Sequence, residues 1–357
     1  MQKIIPEIVE SAWQGLGDAR NINSIIEVSA NVSTNQVYRL EMNDHSSVIA
    51  KVSSYGSYFQ FREDHDRIHL WNRLLSETEY RSLLSDGLSR NNRVYTYYGG
   101  DHWVVFYYDV PISGFLPRIL PEEYIANLGR EIGRFHRKSL ELSPRIPPTS
   151  KSIKSDMIYL MDLVRNRHSR RRFGVRKKLL DVIQDQCLQF LMNIDELGYD
   201  YMPRIPLLLD WNLGNFSVEY LPENQVDRFR LFSRWDYDWF RIEPRLLDFY
   251  FCSRVSSSVG DRTVFSYLPD PLLEERFRLF LRHYHAVCSL TETDLLFVKE
   301  AYRFFILNYV IKEGNHFFKE DIINRLKLEA LEVYLPGLDR LDFRVLLSVL
   351  DEPLVNH

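Results

Sequence analysis

Cysteine is scarce: the 357 residues hold three, Cys187, Cys252 and Cys288, odd in number and far apart. That pattern excludes a disulfide framework and offers no zinc ligand set. Long hydrophobic runs are missing too. With no run of about eighteen apolar residues, no transmembrane helix is expected. The opening MQKIIPEIVESAWQGLG carries acids and lacks the apolar core of a secretory signal. Charge of one sign is not in excess either: the net charge of −4 and pI near 6.2 argue against general affinity for nucleic acid. No internal repeat or low-complexity segment stands out. These absences point to a reducing, cytoplasmic setting with neither a membrane nor nucleic acid as partner.

Apolar residues make up 45% and aromatics 14%, with 21 Tyr and 22 Phe, enough to core one large or two packed domains. Residues 4–16 repeat apolar side chains at helical spacing. Strand-like runs follow at 24–29, 35–42 and 46–52, the last two joined by the turn residues Asn43-Asp44-His45. Residues 57–78 are helical in pattern through Phe61, Ile68, Trp71 and Leu75. Two strands, 93–98 and 102–108, are linked by Gly99-Gly100-Asp101. Beyond 110 helices dominate, at about 121–139, twice within 152–198, and at 271–288, 291–313, 318–334 and 338–350. The expected fold class is α+β, with a small antiparallel-sheet lobe over 1–110 and a larger, mainly helical lobe over 111–357.

The helical part is interrupted at 205–248. IPLLLDWNLGNFSVEY is followed by FRLFSRWDYDWFRIEPRLLDFYF. Two short apolar runs end in polar groups, Asp210 and Asn215 after the first, Asp236 and Asp238 after the second. A turn signal at Leu221-Pro222-Glu223-Asn224 lies between them, so a hairpin would bring both ends to one mouth. Carboxylates and a carboxamide on rigid supports suit a divalent cation and a reacting hydroxyl. Phosphoryl transfer needs Mg²⁺ on the phosphates, a lysine beside them, and an aspartate to orient the attacking group. The Asp-x-x-x-x-Asn spacing of Asp210 and Asn215 matches the catalytic-loop signature of kinases.

Leu208-Leu209-Asp210-Trp211-Asn212-Leu213-Gly214-Asn215 resembles the His-Gly-Asp-Leu-His-Pro-Gly-Asn element of aminoglycoside and choline kinases, which share the two-lobe protein-kinase-like fold. Arg234-Trp235-Asp236-Tyr237-Asp238 is similar to their Ile-Asp-Phe-Asp. Asp248, after Glu243-Pro244-Arg245, stands where they carry an Asp-Leu-Ala run. Leu128 to His136 resembles their helix ending in Leu-His, and Val48-Ile49-Ala50-Lys51-Val52 their phosphate-lysine strand. The resemblance implies Asp210 as catalytic aspartate, Asn215 and Asp236 as Mg²⁺ ligands with Asp238 assisting, and Lys51 on the ATP phosphates. Lys51 would pair with Glu63, or alternatively Asp66. Ser33 and Thr34 lie in the implied phosphate loop, and the backbone of Tyr107, Tyr108 and Asp109 would meet the adenine. The chain departs from the pattern in three respects. Leu208 replaces the loop-bracing histidine, Asn212 and Leu213 replace His-Pro, and the loop 29–35 contains no glycine.

Plainer readings stand beside these. Asp210 and Asn215 also suit a turn, Lys51 a solvated strand, and Glu63 a helix surface. His136 reads as a packed core histidine, and Asp248 as a buried acceptor for loop N–H groups. His283, His285 and Cys288 lack a fourth metal ligand, so a helix surface is expected there. Eight Arg and Lys residues fall between Arg165 and Lys178. They read as a solvated interhelical loop or as a site for an acidic partner. The expected activity is ATP- and Mg²⁺-dependent transfer of phosphate to the hydroxyl of a small molecule. The competing reading is a pseudokinase or nucleotide-binding interaction protein without turnover. A protein kinase is disfavoured because no Ala-Pro-Glu follows Asp236.

Overall fold

A computed structural model describes residues 4–29, 36–166, 173, 177–261 and 266–351 of the chain. Ser33, Thr34 and most of the basic run between Arg165 and Lys178 therefore lie outside the described residues. The chain divides into two compact units. One comprises Met1–Pro111 with Ser233–Trp235 and Asn315–Lys319; the other comprises Ile112–Phe232, Asp236–Gly314 and Glu320–His357.

The first unit opens with helix α1 (Ile4–Leu16), which buries Val9, Ala12, Trp13 and Leu16 along one stripe. Strands β1 (Ile22–Glu27), β2 (Gln36–Met42) and β3 (Ser47–Ser53) follow, then helix α2 (Tyr58–Leu75). A two-residue pair, β4 (Ser89–Arg90) and β5 (Arg93–Val94), precedes β6 (Thr96–Tyr98) and β7 (Trp103–Tyr108). The expected strand 93–98 is thus broken at Tyr95. The five-stranded antiparallel sheet has the order β1-β2-β3-β7-β6, which makes β3 the central strand. Its core gathers Leu40, Val48, Ala50, Val104 and Phe106 with Trp13, whose ring meets Phe106 edge-on at 5.2 Å. Ser57 caps α2 by accepting the Gln60 N–H, as a serine before an apolar-periodic run should.

In the second unit, helix α3 (Glu122–Leu142) packs against a later helix, α7 (Glu275–His285). Gly129 and Gly133 make the close approach possible: a Cβ on Gly129 would stand 2.4 Å from the Phe280 carbonyl, and one on Gly133 3.1 Å from the Tyr284 carbonyl. Helices α4 (Ile153–Arg165) and α5 (Lys177–Glu196) lead into the strand-bearing stretch. Here β8 (Ile205–Leu207) pairs antiparallel with β11 (Arg241–Glu243). Between them β9 (Phe216–Tyr220) and β10 (Phe229–Arg234) form the expected hairpin, closed at Leu221 N–H to Arg228 O, 2.9 Å. Helix α6 (Phe249–Ser256) follows at once, where sequence periodicity gives no helix, because nearly every face of it is buried. Among the described residues no helix is long and apolar enough to cross a membrane.

Candidate active site

The β8–β11 ladder explains why the two polar runs end together. Leu207 pairs with Arg241, and Asp210 and Asp238 each lie three residues beyond that pair. Asp210 is half-buried, and its Oδ1 accepts the Asn212 N–H at 3.3 Å in a turn closed on the carboxylate. Asn215 closes the same turn: its Nδ2 donates to the Asp210 carbonyl at 3.3 Å and its N–H to the Asn212 carbonyl at 2.9 Å. On the other arm, Asp236 Oδ1 accepts the Asp238 N–H at 3.3 Å. The polar side chains of the two arms are thus carboxylates and a carboxamide.

One arm contains strained backbone. Leu209 has φ 62°, a left-handed value that favours glycine and is costly for leucine. Among the described residues the other non-glycine cases, His45, Asn91, Asn92 and Asp236 at φ 71°, are residue types that tolerate this region. Non-glycine strain costs about 1–3 kcal/mol per residue and persists only where the surroundings over-determine it.

For Leu209 the determinant is Asp248, 1% exposed. Its Oδ1 accepts the Leu209 N–H at 3.0 Å, and its Oδ2 accepts the Trp211 Nε1–H at 2.7 Å and meets His136 Nε2 at 3.0 Å. His136 Nδ1 in turn meets the Tyr284 hydroxyl at 2.9 Å. His136 is therefore a core histidine, as expected, and Asp248 is the buried acceptor for loop N–H groups.

The hairpin bearing the two arms is fastened along α3. Asn127 donates to the Phe229 carbonyl and accepts the Phe229 N–H, both at 3.0 Å, and Glu131 accepts the Leu231 N–H at 3.0 Å. Asp227 near the hairpin tip holds Arg130 and Arg134, each at 2.7 Å. Burial opposes the charge of Asp227, but these two guanidiniums outweigh it and keep the carboxyl below its usual range.

In the first unit, Lys51 sits on the central strand opposite Val37 and Val105 and is 7% exposed. A buried lysine in mid-sheet is not a solvated strand lysine. Helix α2 turns Asp64 inward between Phe61 and Ile68, whereas Glu63 is half-buried with Arg67 at 3.7 Å. Tyr107 is buried and Tyr108 exposed. The backbone of Tyr108 is already engaged, its N–H with the Asp86 carbonyl at 3.0 Å and its carbonyl with Ser85 Oγ at 2.8 Å. Asp109 accepts Ser47 Oγ at 2.8 Å and pairs with Arg39 at 3.2 Å.

No protein-family model matches the chain, and no curated protein matches its sequence. Solved structures do match. An amicoumacin kinase, solved with AMP-PNP, Ca²⁺ and Ami, aligns at 13% identity over 96% of this chain and 98% of its own, with TM-score 0.62. A microcompartment-associated aminopropanol kinase aligns at 17% identity over 96% and 98%, with TM-score 0.60. The choline kinase LicA from Streptococcus pneumoniae aligns at 10% identity over 95% and 100%, with TM-score 0.54. The chain has the protein-kinase-like fold of these small-molecule kinases.

Within this kinase fold the departure at Leu208 gains a physical account. Leu208 is core, 1% exposed, and the loop is braced through the indole of Trp211 instead. Nothing in the spacing around Asp210 marks Trp211 as a support; a lone indole donor in an apolar run was the available signal. Asp64 was also missed, although it falls three residues after Phe61 and four before Ile68 on the apolar stripe of α2. His283 and His285 are half-buried rather than surface groups: His283 Nδ1 meets Arg130 at 3.1 Å, and His285 Nδ1 accepts the Leu290 N–H at 2.9 Å. Among the described residues no group of three His, Cys, Asp or Glu could hold a metal.

Proposed function

We propose that the protein is a phosphotransferase that moves a phosphoryl group from ATP, with Mg²⁺, to the hydroxyl of a small molecule. The observation that carries this reading is the strained Leu209-Asp210 turn, at the end of the ladder from whose other strand Asp236 and Asp238 lead away. Strain of this kind clusters at functional sites. Asp210 orients the acceptor hydroxyl and takes its proton. Asn215 Oδ1 and Asp236 are the divalent-cation ligands, with Asp238 beside them; the cation, when bound, neutralises phosphate charge. Lys51 is the phosphate-contacting residue of the first unit, and its burial favours Asp64 over Glu63 as the α2 acid that accompanies it. An adenine would be met by backbone beyond Tyr108, whose own groups are engaged.

The alternative, nucleotide binding without turnover, rested on Leu208 and the glycine-free loop. The Asp248–Trp211 brace supports turnover, because it supplies the loop support that Leu208 lacks. The test is Asp210→Ala. Transfer from ATP to a panel of hydroxylated metabolites should drop by about 10²–10⁴-fold, the usual contribution of a positioned acid–base group. MgATP should still raise the melting temperature. Equal turnover in wild type and variant, or no MgATP shift in wild type, defeats the proposal.

A further inference from the structure

Arg254, in the last turn of α6, is a half-buried guanidinium beside the catalytic turn. Its guanidinium carbon lies 5.5 Å from the ring centre of Phe251 and 5.2 Å from that of Tyr267. Among the described residues its hydrogen bonding is one long contact, Nη1 to Asn212 Oδ1 at 3.5 Å. Asn212 in turn donates its N–H to Asp210 Oδ1 at 3.3 Å, so a single residue separates Arg254 from the proposed base. Other arginines of this unit are treated differently: Arg241 pairs with Asp156, Arg245 with Asp294 at 3.1 Å and Arg303 with Glu300 at 2.8 Å. Arg254 forms no ion pair among the described residues. A guanidinium withdrawn from water calls for an anion or a full set of acceptors. The two rings supply cation–π attraction but no hydrogen-bond acceptor for its N–H groups.

We propose that Arg254 recognises an anionic group on the acceptor, a carboxylate or phosphate ester set a few bonds from the hydroxyl that meets Asp210. This rests on the phosphotransferase reading and adds the acceptor's charge class to it. A planar fork with several N–H donors binds such anions in bidentate fashion, while Arg254 screens the anion from the Asp210 carboxylate. The guanidinium is charged in place. Burial opposes that charge, but neighbouring groups, Tyr250 and Tyr267 first and then Asp261 and Asp210, raise its pKa.

Calorimetric titration without nucleotide separates this inference from turnover. Wild type, Arg254→Gln and Arg254→Lys are each titrated with short unbranched hydroxycarboxylates, the matching hydroxyalkyl phosphates, amino alcohols and diols. At least one anionic series should bind wild type more than about tenfold tighter than its diol, lose that advantage in Arg254→Gln, and keep part of it in Arg254→Lys. Which anionic series responds distinguishes carboxylate from phosphate ester. Amino alcohols or diols binding wild type as tightly as the anions, no anion binding at all, or anion binding unchanged in Arg254→Gln overturns the proposal. Should Arg254→Gln fail to fold, the charge preference of wild type and its weakening in Arg254→Lys decide the matter. ATP consumption with each compound is read separately. Turnover confined to amines or diols leaves a kinase and removes the anion site.

Discussion

Replacing Trp211 by phenylalanine tests the brace beneath Asp210. The indole N–H donates to Asp248 Oδ2 at 2.7 Å, and both residues are 1% exposed. A hydrogen bond to a buried charge contributes about 1.5–3 kcal/mol. Phenylalanine keeps a ring against Phe135 and Phe216, whose centres lie 6.1 and 5.6 Å from the indole. The cavity term therefore stays well below the roughly 3–5 kcal/mol of a truncation to alanine. Asp248 retains the Leu209 amide and His136, so its charge is not stranded. The expected loss is about 2 kcal/mol, from the single charge-assisted bond removed. Turnover should fall by about tenfold or more, because small displacements of a reacting group are costly, while MgATP binding is unchanged.

Asp248→Asn should do worse for a geometric reason. Two donors converge on Oδ2 and one on Oδ1. An asparagine that turns its oxygen to the pair must turn its NH₂ against the Leu209 N–H. The loss is then about 3–5 kcal/mol, as for breaking a buried charge cluster. Urea unfolding followed by far-ultraviolet circular dichroism is the assay, since tryptophan emission itself changes in Trp211→Phe. A Trp211→Phe stability within about 0.5 kcal/mol of wild type, the range of neutral surface changes, together with unaltered turnover, refutes the brace.

Asp236→Gly should separate stability from function. Glycine adopts φ 71° freely but loses more entropy on folding and removes the carboxylate that accepts the Asp238 N–H, so stability should change by less than about 1 kcal/mol. The part of the nucleotide-induced melting shift that depends on Mg²⁺ should vanish, and its persistence would remove Asp236 from the ligand set. His283 supplies a pH test. Burial first, then the charges of Arg130 and Arg282, push its imidazole down to about 4 from 6.5. The unfolded chain binds this proton below pH 6.5 and the folded chain only near 4, so stability falls as pH drops through that window. Melting temperature against pH should decline less steeply for His283→Gln; parallel curves would show that His283 does not contribute.

The arms of the proposed site could be picked out because Asp210, Asn215, Asp236 and Asp238 stand at the ends of apolar runs, where polar groups need a reason. The first run holds the three-residue β8 and the second the six-residue β10. Helix α6 was not legible. FYFCSRVS has no polar face, so its periodicity is silent, and only its burial on nearly all sides reveals why. Arg254 was hidden with it, since a lone arginine in an aromatic run carries no spacing signal.

The supports of the Asp210 turn were least legible, because they act across long sequence separations. Leu209 gives no hint of left-handed backbone, being a residue type that is strained by it. The strain at Leu209 is held by Asp248, and Asp248 is met by His136 from α3. His136 is met by Tyr284 from α7, and the Tyr284 hydroxyl contacts Cys288 Sγ, as does Arg245 at 2.7 Å. That chain depends on the close approach of α3 and α7, which a Cβ at Gly129, 2.4 Å from the Phe280 carbonyl, would not allow and one at Gly133 would crowd. The glycines of Leu-Gly-Arg-Glu-Ile-Gly-Arg-Phe-His thus act on Asp210 through packing. A motif that looks like an independent helix signature in the sequence is, in the folded chain, the far end of the support for the Asp210 turn.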